Sequence, residues 1–181
     1  MKTISKLAVI IFFGSIFLFP QNDVKFEKPI LISSAGQSAD VTLAGMLLKK
    51  NNTEYKSLPM AKENDLEGIK TLIIVPGFSS KGLGAAGISR DQEKARVASL
   101  ISAAKKKNLK ILMLHLGGTA RRGQQSDDFN EMVAEASSYM IVVKQGDEDK
   151  FFSKIATNKK IGIKLVDKMA DATGALKDVI K

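Results

Sequence analysis

The chain has 181 residues, 44% hydrophobic and 26% charged, enough for one ordinary globular domain and unlike a disordered chain. Its 28 Lys and Arg against 19 Asp and Glu give a formal charge of +9, a surplus that favours anionic partners. The absence of cysteine excludes disulfides, thiol catalysis, cysteine-based zinc sites and a lipoprotein-type lipid anchor, and 6% aromatics without Trp leaves little to stack on nucleic-acid bases, so no nucleic-acid partner is expected.

Residues 1–20 read as a signal peptide or an N-terminal membrane anchor. Lys2 and Lys6 make a basic start with no acid, residues 7–19 are almost wholly apolar, and Pro20-Gln21-Asn22-Asp23 ends the run. That is the layout of a secretory signal. The run is shorter than the roughly 20 residues of a spanning helix. No Ala-x-Ala-like cleavage site stands near Pro20, so residues 7–20 either leave with the signal or stay as an anchor. The expectation is an exported protein, periplasmic or extracellular, that meets a membrane only through this segment. Residues 21–28 read as a polar linker, and residues 29–181 as a single domain.

Residues 29–34 form a strand, and Ala35-Gly36-Gln37 a turn. Ser38 stands at the N-cap of a helix over 39–50, whose Val41, Leu43, Ala44, Leu47 and Leu48 fall on one stripe. A weaker strand, 54–58, closes at Pro59, and residues 63–66 form a short helix. The strand at 71–75 has no polar alternation, as expected of a parallel sheet covered on both faces. A glycine-rich loop, 76–88, leads to a helix from Ser89 to about Lys107, opened by the capping box Ser89-Arg90-Asp91-Gln92. Residues 110–116 are again a buried strand. A second long loop, 117–125, precedes a helix that Ser126 would cap, with Asp127 and Asp128 at its positive end. Strands at 139–143 and 161–166 and helices at 148–158 and 168–180 complete the chain.

Strand and helix alternate six times. That pattern predicts an α/β fold: a three-layer, doubly wound sheet of five to six mainly parallel strands with helices on both faces, Rossmann-like or flavodoxin-like. Orders of the 2-1-3-4-5 or 3-2-1-4-5-6 type both fit. Ligands in such sheets bind beyond the carboxyl ends of the strands, where the winding reverses. The long, glycine-rich loops here all follow strands, and that asymmetry points to a site.

The loop 77–87 carries Gly77, Ser79, Ser80, Lys81, Gly82 and Gly84. Gly82 to Gly87 spells GxGxxG, but too far from the strand for a dinucleotide fingerprint, and Walker A fails at Leu83, so no cofactor is expected. A GxSxG elbow is missed by one residue at Gly77 to Gly82. The loop is either a solvated connection or a backbone cradle for an oxyanion. Gly117, Gly118, Thr119, Arg121 and Arg122 combine free amides with guanidinium forks suited to carboxylate or phosphate, although one arginine could pair with Asp127 or Asp128. Ser34, Gly36, Gln37 and Ser38 offer further polar contacts or merely turn the chain. His115, the sole histidine, is a packing residue or a proton carrier, with Ser79 or Ser80 as weak nucleophile candidates. No metal-ligand spacing accompanies it.

Three segments, Ser33-Ser34-Ala35-Gly36-Gln37-Ser38-Ala39-Asp40, Ser79 to Ser89 and Gly117-Gly118-Thr119-Ala120-Arg121-Arg122-Gly123, resemble those of an uncharacterised bacterial family of exported single-domain proteins with a Rossmann-like fold, a domain of unknown function. The resemblance implies that fold and export and carries no activity. The expected function is binding of a small anionic or polar ligand at the carboxyl ends of the strands. Alternatives are an acyl or phosphoryl hydrolase or transferase at the same site, and an envelope-tethered module for anionic polymers.

Overall fold

The computed structural model describes residues 24–181; the expected signal or anchor at 1–20 lies outside them. Six strands form one parallel sheet: β1 (Ile30–Ala35), β2 (Lys56–Ser57), β3 (Thr71–Pro76), β4 (Lys110–His115), β5 (Tyr139–Val143) and β6 (Gly162–Val166). Their order is β2-β1-β3-β4-β5-β6. This is the first of the two expected orders, extended by one strand. The direction of winding reverses between β1 and β3, in register from Ile30 opposite Thr71 to Ala35 opposite Pro76.

Every residue of β1 and β3 is buried because helices cover both faces. On one face, α1 (Asp40–Lys50) and α6 (Ala172–Val179) pack Val41, Ala44, Leu48, Leu176 and Val179 against Ile30, Ile32, Ile73 and Val75. On the other, α3 (Arg90–Lys106), α4 (Gln124–Ala136) and α5 (Phe151–Lys159) pack Val97, Leu100, Phe129, Val133 and Phe152 against Leu31, Leu72, Ile74 and Met113. The period-2 alternation of the strands thus feeds two cores. Both edges are modest: β2 has only two exposed residues, and β6 is half-buried.

Several local expectations change. Residues 24–28 are not free linker: Phe26 is fully buried, its N–H donates to the Val179 carbonyl at 2.8 Å, and its carbonyl accepts from Lys181 at 2.9 Å. The glycine-rich loop is largely helical, as α2 (Ser80–Ala86), with Gly87 in the left-handed region at its end. The loop 117–125 holds a 3-10 turn, Gly118–Arg121. Ser38 does not cap α1, and Ser126 lies inside α4 rather than ahead of it.

Candidate functional site

The carboxyl end of β1 turns through Gly36, at φ +98°, where an added Cβ would stand 2.6 Å from the Gly77 carbonyl oxygen. Only glycine allows that approach. The turn is fixed from α3. Glu93, fully buried, accepts from the Gly36 amide at 2.9 Å and from Gln37 Nε2 at 3.0 Å, both at Oε1. Arg96 donates to the same carboxylate from Nε at 2.7 Å and Nη2 at 2.8 Å, and also to the carbonyls of Ser34 and Ala61 at 2.6 and 2.8 Å. Desolvating two charges is costly, and this number of charge-assisted bonds is what offsets it. The sequence reading missed this pair. The signal was there: Glu93 falls on the inward stripe of Val97, Leu100, Ile101 and Ala104, where a carboxylate needs a partner.

Beside this turn, Arg121 crosses the ends of β3 and β4. Its Nε donates to Asp40 Oδ2 at 3.1 Å and its Nη2 to Oδ1 at 3.4 Å, with the Asp40 side chain 8% exposed and that of Arg121 26%. The arginine stem occupies the space that side chains on Gly77 and Gly117 would take; a Cβ on Gly77 would lie 2.8 Å from Arg121 Cδ and 3.2 Å from Ser38 Oγ. Ser38 Oγ and Ser34 Oγ are buried without a hydrogen-bond partner among the described residues. Ser38 and Asp40, Gly77, and Gly117, from three stretches far apart in sequence, therefore meet around one arginine at the winding reversal.

The second glycine segment contributes less than expected. Ser79 Oγ caps α2 by accepting from the Gly82 amide at 3.0 Å, so it is engaged as a helix cap. The amides of Gly36, Gly77 and Gly82 already donate to Glu93, the Ala35 carbonyl and Ser79, which leaves them unable to form the expected backbone cradle. Gly82 is small because it abuts the Gln37 carbonyl. Ser80, Lys81 and Gly84 are exposed on α2, and Thr119 on the 3-10 turn, while Gly118, at φ +53°, packs beside Gln145. Ser126 Oγ accepts from the Phe78 amide at 3.2 Å, tying α4 to this loop.

Arg122 leaves the site. It pairs with Asp127 at 2.7 Å and Asp149 at 2.8 Å, donates to the Gly146 carbonyl, and lies over the rings of Phe151 and Phe152 at 4.5 and 5.4 Å. Its guanidinium holds the Asp149 carboxyl well below the usual range. Ligand contact by Arg122 is thus replaced by a structural role, because two carboxylates and two rings enclose its fork. Asp128 instead answers Arg90 and Lys94.

His115 is fully buried, 4.8 Å from the Phe152 ring centroid, with Nε2 3.3 Å from the Arg121 carbonyl. Burial pushes it down from 6.5 to about 4, so the ring is neutral at ordinary pH. Gly146 presses on it: a Cβ there would be 2.6 Å from Cε1. The ring has no exposed surface, and the proton-carrier reading gives way to packing. Among the described residues there is no group of three or more His, Cys, Asp or Glu that could hold a metal ion, and no helix is long and apolar enough to cross a membrane.

No curated protein matches the chain significantly in sequence. Among solved structures, a GDSL-like lipase from Bacteroides thetaiotaomicron VPI-5482 is similar with a TM-score of 0.35 and 12% identity, over 75% of this chain and 66% of that one, so this chain spans just under two thirds of its length. A serine-to-alanine mutant of the esterase AlinE4 is similar with a TM-score of 0.33 and 12% identity, over 87% of this chain and 83% of that one. At this level of likeness no residue role passes from either to this chain. The model of one family, described as "Domain of unknown function (DUF6305)", matches residues 27–180, almost the whole described fold, and the chain belongs to that family.

Proposed function

We propose that this is an exported domain that binds a small polar ligand bearing an acceptor group, such as a carboxylate or phosphate, at the winding reversal between β1 and β3. One observation carries the reading: the Arg121 guanidinium is held across Gly77 and Gly117 by Asp40, beside the buried hydroxyl of Ser38, which has no hydrogen-bond partner among the described residues. Asp40 takes Nε and Nη2, leaving Nη1 outside that pair to donate elsewhere. A ligand oxygen there could accept from Arg121 and Ser38 together, while the Glu93–Arg96 pair keeps the β1 turn in place before binding. Lys81, exposed on α2, adds positive charge. Export rests on the basic start and apolar run of residues 1–20.

The hydrolase alternative is weaker, because the chain's one histidine is sealed beneath the sheet end and Ser79 is engaged as a helix cap. The test is a thermal-shift screen of inorganic phosphate, nucleotides, sugars and small carboxylates. At least one should raise the melting temperature of the wild type. Arg121→Ala should abolish that rise, and Ser38→Ala should weaken binding about tenfold. A rise that survives Arg121→Ala, or none with any probe, would sink the reading.

A further inference from the structure

The lysines of this protein gather at one pole. In a parallel sheet the helices run back against the strands, so helix ends and strand starts share the pole opposite the Arg121 mouth. There α1 closes on Lys49 and Lys50, α3 on Lys105 and Lys106, and α5 on Lys159. The strand starts match them. Lys28 and Lys70 stand just ahead of β1 and β3, Lys110 opens β4, and the register of Ile30 with Thr71 and of Thr71 with Lys110 sets these starts side by side.

Cations in a last helical turn complement the dipole. Sheets carry little dipole, so Lys28, Lys70 and Lys110 need another account. All three are exposed. Neutralisation at this pole is thin: Glu67 meets Lys107 and Glu135 meets Lys159, whereas Lys110 Nζ donates to a backbone carbonyl, that of Lys25, which removes no charge. At the mouth pole the arginines are matched by carboxylates: Arg90 by Asp128, Arg96 by Glu93, Arg121 by Asp40 and Arg122 by Asp127. The mouth-pole lysines Lys81, Lys94, Lys144, Lys150, Lys154 and Lys168 are balanced in number by Asp91, Asp147, Glu148, Asp149, Asp167 and Asp171 in the same segments, so the positive surplus belongs to the strand-start pole. The described chain also enters the fold there, through the buried Phe26 paired with Ile180.

We propose that the strand-start pole is a docking face for an anionic phospholipid surface. Clustered lysines at one face add their attractions to anionic headgroups, and the attraction is short-ranged and salt-sensitive. Docked this way, the domain turns the Arg121 mouth away from the bilayer.

The test uses the full-length chain reconstituted with vesicles of phosphatidylcholine, with or without about 30% phosphatidylglycerol, and an amine-acetylating reagent. Lys49, Lys50 and Lys106 should react about fivefold more slowly on the anionic vesicles than on the neutral ones, with Lys81 and Lys154 unchanged. Salt at about 0.5 M should erase the difference. Replacing Lys70, Lys105, Lys106 and Lys110 together with Gln should remove the protection of Lys49 and Lys50, while an unchanged melting temperature verifies that this variant is folded. Equal reactivity on both kinds of vesicle overturns the proposal. So does protection that extends to Lys81 and Lys154. Protection by a soluble anionic polymer, with none from phosphatidylglycerol, overturns it in favour of a polymer-binding face.

Discussion

Arg121 and Asp40 stand 81 residues apart in sequence and meet in a two-pronged ion pair at the ends of β1, β3 and β4. Neither prong is short, yet the pair places the arginine stem against two strand-end glycines. Removing either partner should leave the other charge poorly compensated. Arg121→Ala and Asp40→Ala should each lower stability by about 1–2 kcal/mol, since Arg121 is partly solvated. The double variant should lose less than the sum of the two. Urea denaturation of all four proteins measures the coupling; strict additivity would mean the two side chains do not act together.

Gly77→Ala probes the same contact from the backbone. Its methyl would press on Arg121 Cδ and Ser38 Oγ, at a φ of +151° that side chains rarely adopt. A loss of about 1–3 kcal/mol is expected, together with loss of any ligand-induced thermal shift. Wild-type stability with a wild-type shift would show that the arginine stem does not depend on this glycine.

Glu93→Gln keeps the shape and removes the charge facing Arg96. The buried guanidinium, with its side chain 9% exposed, would lose its ionic partner, at about 3 kcal/mol. Amide hydrogen exchange should speed up at Gly36, whose N–H donates to Glu93. Destabilisation without faster exchange at Gly36 would separate the ion pair from control of the β1 turn.

His115 supplies a pH dependence with a defined sign. Its folded value lies near 4 and its ordinary value at 6.5. Above 6.5 the ring is neutral in both states, and its full contribution to stability is present. Between 6.5 and 4 the unfolded chain takes up a proton that the folded chain refuses, so stability falls as the pH falls. The loss approaches about 3 kcal/mol below 4. In His115→Gln this component is missing, so the stability difference between wild type and variant should change by that amount between pH 7 and pH 4. Denaturant midpoints at a series of pH values give the comparison, and a constant difference would contradict the buried neutral ring.

Arg122→Ala should cost about 2–4 kcal/mol, through two carboxylates and two aromatic faces left without their cation. Arg122→Lys should recover little, because an ammonium cannot reproduce the planar fork. Neither variant should change a ligand-induced shift, in contrast to Arg121→Ala. Loss of that shift in Arg122→Lys would return Arg122 to the ligand site.

The adjacency of Arg121 and Arg122 shows where sequence reading stops. Both sit between the same glycines and offer the same chemistry, yet one reaches back to α1 and the other forward to the start of α5. A 3-10 turn ending at Arg121 sends their side chains to different neighbours. The segment 80–86 failed differently. Three glycines within and just after it argued for a loop, but the Ser79 cap and the packing of Leu83 against the body of the fold hold a short helix there, overriding poor local propensity.

The sequence by itself determined the alternation of strands and helices, the doubly buried character of β3 and β4, the capping box of α3, and the placement of the glycine-rich segments after strands. These follow from hydrophobic periodicity and local hydrogen bonding, which act over a few residues. Only the tertiary structure decided the strand order, the pairing of Arg121 with Asp40, the burial of Glu93 and His115, and which pole holds the uncompensated lysines. Those depend on charges and side chains brought together across the sheet, whose separation along the chain carries no record of their distance in space.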